Sequence, residues 1–230
     1  MDEGWTTQID AYCERVDPSF WAEPVNALTN LSFLLAAAFA YREVRRDGTL
    51  EPGVGLLLGL MLAIGIGSFL FHTLATRWAA LADTLPITLF ILCYLTLTLR
   101  RGFGLGWLWA VALGLGFLPL SGLVAAGAAA VTGGLLGGSS GYLPALAALV
   151  VCGALLRTRN TEAGRGLLVA AGLFLVSLTF RTLDQPLCPL VPLGTHFLWH
   201  LLNGVLLGYL VLLMARMSRM HDGPPAARPA

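Results

Sequence analysis

Six long apolar runs dominate the chain, at residues 25–44, 53–74, 80–99, 104–156, 166–183 and 194–215. A helix rises 1.5 Å per residue, so about 20 such residues cross the hydrocarbon core of a bilayer. Within that core the backbone must satisfy its own hydrogen bonds, and a helix does so inside one segment. The run 104–156 is too long for one crossing. Its break at "GGLLGGSSG" (133–141) fits either two spans or three short ones.

Charge decides between them. Arginines cluster at "REVRR" (42–46), at Arg100 and Arg101, at "RTRNTEAGR" (157–165) and at "RMSRM" (216–220). Basic flanks of short loops stay in the cytoplasm. Arg101 and Arg157 then share a side, so an even number of spans joins them, and two fits. The expected fold is all-α, a polytopic seven-helix bundle with its N-terminus outside and its C-terminus cytoplasmic. Residues 1–24 form an acidic extracytoplasmic segment, 25–217 the transmembrane domain, and 218–230 a disordered cytoplasmic tail.

Composition agrees. The chain is 57% hydrophobic and 12% charged, where a soluble domain carries about 25% charged residues. The opening "MDEGWTTQIDAYCER" lacks a basic start and an apolar core, so the first apolar run is expected to act as an uncleaved anchor. All 14 basic residues are arginine. Without lysine there is no Schiff base, which excludes a retinal-binding pump. A transporter would show an inverted repeat or a charged path through several helices, and neither is visible. The Ala, Gly, Leu and Arg bias points to a bacterial inner membrane. The expected partner is the bilayer, not nucleic acid.

Ionisable side chains inside spans are costly and mark function by default. They are His72, Asp83, His196 and His200, with Arg181 and Asp184 at a span edge; Ser68, Asn26, Asn30 and Asn203 add neutral polar groups. In the derived topology the second span ends near His72, the third starts near Asp83 and the seventh starts near His196. All four groups therefore share one layer toward the outer face. In "GTHFLWHLLNG", His196 and His200 lie four residues apart and point the same way; Ser68 and His72 have the same spacing. Three neutral imidazoles can hold zinc and leave a fourth position for water. Zinc brings that water's pKa toward about 7 and polarises a carbonyl. Asp83 could then hold the water or take its proton, and Ser68 could steady the water or a developing oxyanion. On the residues alone, blander roles stay open. The histidines could bond across helices, Asp83 could cap the third span ahead of Pro86, and Ser68 could bond the carbonyl four residues back.

"GSFLFHTLATRWAALADTLPI" together with "GTHFLWHLLNG" resembles the alkaline ceramidase family, part of a superfamily shared with the progestin and adipoQ receptors. The N-terminal "YCERVDPSFWAEPVNALTN" is similar to the family's Cys-Glu segment, with its later Glu and two Asn four apart. The resemblance runs from about residue 10 to 205. It implies a seven-helix hydrolase with zinc on His72, His196 and His200, Asp83 as the water-activating base and Ser68 in support. The implied substrate is an N-acyl sphingoid lipid, cleaved at its amide to a fatty acid and a long-chain amine. The resemblance also implies a calcium site, for which Asp10, Glu14, Asp17 and Glu23 offer hard oxygen ligands; Glu14 and Glu23 match best. It implies a disulfide between Cys13 and Cys188 on the oxidising side, whereas Cys93 and Cys152 read as small buried hydrophobes. Asp184 would pair with Arg181 one turn back or support a zinc ligand from behind. The competing reading is a receptor-like relative in which zinc is structural and lipid binding is the signal. That group is expected to place its N-terminus inside, opposite to the charge reading.

Overall fold

The computed structural model describes residues 4–222, and its regular structure is helical throughout. Among the described residues, seven helical passes are long and apolar enough to cross a membrane. The first is made of α1 (Pro24–Thr29) and α2 (Leu31–Arg46), joined at Asn30. α3 (Pro52–Leu74) and α4 (Arg77–Arg101) follow. The long central run is indeed two passes. α5 (Trp107–Val131) is one, and a 3-10 turn (Gly137–Tyr142) leading into α6 (Leu143–Leu156) is the other. α7 (Thr161–Leu187) and α8 (His196–Asp222) complete the bundle.

α8 continues past the boundary expected at residue 217, because tertiary contacts hold its last turns. Ser218 Oγ lies 2.9 Å from the Met214 carbonyl and 3.1 Å from Glu51, either of which can take its one hydrogen, Arg101 donates to Ser218 (2.7 Å) and pairs with Glu51, and Arg219 pairs with Asp47 (2.9 Å). Residues 218–222 are therefore helical rather than part of a tail, and the rest of the expected tail lies outside the described residues. At this end of the bundle the arginine-rich termini of α2, α4 and α8 are tied to one another.

The core lies between α2, α3, α4, α7 and α8, where Phe33, Leu57, Met61, Ile64, Leu167 and Met214 are buried. α5 is peripheral: it buries Ala110 and Gly114 but leaves Leu108, Trp109 and Leu123 exposed. Apolar surface of that extent suits lipid contact rather than water.

The opposite end carries the site. Residues 5–9 are stitched to the tight turn between α3 and α4: Ile9 N donates to Ala75 O (2.6 Å), Arg77 N to Thr7 O (3.1 Å) and Trp78 N to Trp5 O (3.1 Å). α3 and α4 cross closely at Gly67, where a Cβ would run into the Ala82 carbonyl. That carbonyl lacks its helical donor, because the residue four positions later is Pro86. The close crossing brings Ser68 of α3 against Asp83 of α4. Gly67→Ala must push the two helices apart, since the obstacle is backbone. We expect a loss of about 1–3 kcal/mol, the usual cost of overpacking, and a fall in any activity that needs Asp83 beside His72. Thermal unfolding and turnover of the purified variant check this.

Candidate metal centre

His72 lies in the last turn of α3, and His196 and His200 occupy the first two turns of α8. Each is 1% exposed. Their ring centroids are 4.6 Å (His72–His200), 4.6 Å (His196–His200) and 5.2 Å (His72–His196) apart. One nitrogen from each ring lies within 4.8 Å of those from the other two. His72 Nε2 and His196 Nδ1 are buried with no hydrogen-bond partner. An unpartnered buried nitrogen costs on the order of 1–3 kcal/mol, and converging imidazole lone pairs are the donor set that zinc takes. The residues present fit a divalent ion.

The supporting contacts fix ring orientation. His72 Nδ1 lies 2.6 Å from Glu23 Oε2, and His200 Nδ1 lies 3.0 Å from the Thr29 hydroxyl. A carboxylate behind an imidazole holds its Nδ1–H and leaves Nε2 free to bind. Glu23 is itself held: Arg15 Nε donates to its Oε1 (2.6 Å) and Asn26 Nδ2 to its Oε2 (3.1 Å). Burial pushes the Glu23 carboxyl up, but hydrogen bonds from His72, Arg15 and Asn26 outweigh it and hold the group below the usual carboxylate range. Arg15 in turn donates to the His72 carbonyl (3.0 Å) and the Asp17 carbonyl (3.1 Å). The N-terminal segment thus reaches His72 through a buried Arg15–Glu23 pair. We expect Glu23→Gln, which keeps the shape and loses the charge, to weaken metal binding about 10–100-fold. Competition with a chelator of known affinity measures it.

Asp83 sits in the second turn of α4. The N-cap is Thr76, so capping is not the role of Asp83. Ser68 hydrogen-bonds to the Asp83 carboxylate, and Asp83 Oδ1 is buried without a partner. Asp83 stands beside the three-histidine group and is not a member of it.

Above the rings, Tyr12 stacks on His196 with centroids 3.6 Å apart. Burial pushes its phenol above the usual range, so it stays protonated. The next residue, Cys13, is disulfide-bonded to Cys188 with Cα atoms 5.5 Å apart. Asp184 does not pair with Arg181. Its Oδ1 accepts from Thr195 N (2.7 Å) and His196 N (2.9 Å), and its Oδ2 accepts from Cys13 N (3.0 Å). The exposed N–H groups at the start of α8 draw this carboxylate away from the guanidinium. It therefore supports a candidate ligand through the backbone. Gly194 has φ +68°, and a Cβ there would strike Asp184 and Cys13.

Three of the four acidic residues expected to hold calcium are engaged by other partners. Glu14 accepts from Val25 N (2.7 Å) and Asn26 N (2.8 Å) at the start of α1, and Asp17 accepts from Ser19 N (2.7 Å) in its own loop. Glu23 serves His72 and Arg15, and Asp10 joins no carboxylate cluster. Among the described residues, the histidines are the group of three or more His, Cys, Asp or Glu side chains close enough to share an ion. The polar residues Asn30 and Asn203 are structural. Asn30 donates to Asn26 O (2.9 Å) and Asn203 to Ser177 (3.1 Å).

Sequence reasoning missed Arg15, Tyr12 and Thr29. It also assigned Glu23 to another ion. The one available signal was chemical: a buried metal-binding imidazole needs a carboxylate or hydroxyl behind it.

An apolar cavity opens beneath the histidines, lined by Phe33, Ile64, Phe90, Tyr94, Trp199 and Leu210 among others. Phe33 and Trp199 touch both regions, with centroids 6.5 Å from His200 and 6.5 Å from His196.

Compared with protein families, the chain matches the ceramidase family over residues 5–228. A search of curated proteins found no match.

Proposed function

We propose that this chain, which belongs to the ceramidase family, is a zinc-dependent membrane hydrolase that cleaves the N-acyl amide of ceramide-like lipids. The observation that carries the reading is the three buried imidazoles, each with one nitrogen within 4.8 Å of those of the other two, and two of them with an unpartnered nitrogen. Zinc held there supplies Lewis-acid polarisation of the amide carbonyl and lowers the pKa of water.

The chain's own groups do the rest. His72, His196 and His200 hold the ion, and Glu23 fixes the His72 tautomer. Asp83 Oδ1, with no other partner, takes the proton of the attacking water and returns it to the amide nitrogen as the C–N bond breaks. Ser68 orients the Asp83 carboxylate. The apolar cavity takes a hydrocarbon chain and sets the scissile amide at its upper end. Tyr12 and the disulfide-held segment close the site from above, which lowers the local dielectric and strengthens every charge interaction inside.

The site is toward the outer face. Supporting this are a disulfide beside it, which persists in an oxidising compartment, and arginines at the far end, as cytoplasmic flanks require. The unpaired carboxylate oxygen of Asp83 favours turnover over a receptor-like role, since structural zinc has no use for a free base.

The test is direct. Purified protein in liposomes is supplied with an N-acyl sphingosine of defined chain length, and released fatty acid and amine are counted by mass spectrometry. Equal release of both, lost on chelation and restored by zinc, is the expected result. Zinc-loaded protein that releases neither from any lipid amide overturns the reading.

A further inference from the structure

Arg181 has no ion-pair partner among the described residues, the carboxylate of Asp83 reaching it only through space, and it stands over two rings, Tyr142 and Trp199, that line the apolar cavity. Its side chain is mostly buried on α7. Its guanidinium stands over three aromatic rings, 5.2 Å from the Tyr142 centroid, 5.6 Å from Trp199 and 6.0 Å from Tyr12. Its hydrogen-bond partners are two neutral hydroxyls, Ser139 at 3.1 Å and Tyr12 at 3.4 Å. Among the described residues, no carboxylate comes within ion-pair distance of it. The other withdrawn arginines differ: Arg15 holds Glu23 and Arg101 holds Glu51. Asp184, one turn on, has turned to the start of α8.

A guanidinium has five N–H donors in a planar fork that matches carboxylate or sulfonate oxygens two at a time. Two hydroxyl acceptors leave donors over. Stacking on aromatic rings offsets part of the desolvation cost and supplies no counter-charge. The position adds the second half of the argument. Tyr142 and Trp199, beneath the guanidinium, line the cavity. Tyr12 bridges it to His196, on which Tyr12 stacks. Tyr12 covers His196 on the side away from the cavity, so an amide held at the histidines with its acyl chain in the cavity turns its amine half toward Tyr12 and the Arg181 that bonds it.

We propose that Arg181 is a specificity residue that binds an anionic group, a carboxylate or a sulfonate, on the amine half of the lipid amide. Within the N-acyl lipids that the site cleaves, those whose amine half carries a negative charge close to nitrogen are then preferred over those without one. The inference rests on the hydrolase reading. The bond chemistry is unchanged: water adds to the carbonyl, the C–N bond breaks, and an acid and an amine leave.

Three amides of one fatty acid test it: N-oleoylglycine with a carboxylate, N-oleoyltaurine with a sulfonate, and N-oleoylethanolamine with a neutral hydroxyl. The zinc-loaded full-length protein is assayed for kcat/KM on each. We expect one or both anionic amides to exceed the neutral one by roughly 10-fold or more, with the better of the two identifying the group. In Arg181→Gln that ratio should fall toward one, and in Arg181→Lys, which keeps the charge and loses the fork, to an intermediate value. A merely structural Arg181, or one that only supports Asp83, would depress all three substrates alike and leave the ratio intact, which overturns the proposal. A wild-type ratio of one or less overturns it too. Failure to cleave any of these or an N-acyl sphingosine is a different result, which brings down the hydrolase reading and this inference with it.

Discussion

Replacing His200 by alanine is expected to abolish amide cleavage, by about 10⁴-fold or more, while the protein stays folded in the membrane. Loss of that order follows when the group that generates the nucleophile is no longer held. His200 is the middle ring of the set, 4.6 Å from each of the other two by centroids. Removing it leaves two imidazoles, too few for a three-residue zinc site, and strands the Thr29 hydroxyl. The bundle should survive, because its clamps lie elsewhere. The Cys13–Cys188 bridge and the Glu51–Arg101–Ser218 cluster do not touch His200. The measurement is paired: turnover of a lipid amide, and metal bound per folded chain. Turnover within 10-fold of wild type would mean that the imidazoles are not the catalytic centre.

Asp83→Asn should separate chemistry from metal binding. Asparagine keeps the volume and can still hydrogen-bond to Ser68, but it cannot accept the proton of the attacking water. A positioned general base contributes about 10²–10⁴-fold, so turnover should drop by that factor. Metal content should remain at the wild-type level, because Asp83 is outside the three-histidine group. That split distinguishes a base from a ligand. If Asp83→Asn loses its metal along with its activity, Asp83 belongs among the ligands. If it keeps its activity, the proton is taken by another group.

What the sequence could show follows from which forces are local. The seven passes were legible because the bilayer imposes a length and a hydropathy that can be counted along the chain, and arginine placement divided the run 104–156 correctly. The end of α8 was not legible. Ser218 and Arg219 stay helical through Glu51, Arg101 and Asp47, residues far away in sequence. The histidine trio was legible because His196 and His200 share a helical face and the topology sets His72 at the same depth. The support behind it was not. Glu23 lies 49 residues from His72 and Arg15 lies 57 from it, in a segment with no periodicity to read. Which of its two expected roles Asp184 takes was not legible for the same reason. One-turn spacing favours Arg181, but the free N–H groups of α8 come from outside α7 and win. Gly67 was unreadable as a crossing point, since what requires it is the carbonyl of Ala82 on another helix.

The most direct test of the whole account is the zinc content of the purified protein. Wild type and Asp83→Asn should each carry about one zinc ion per chain after zinc-replete preparation, and His200→Ala close to none. Wild-type protein that holds no zinc, or a His200→Ala variant that holds as much as wild type, would contradict it.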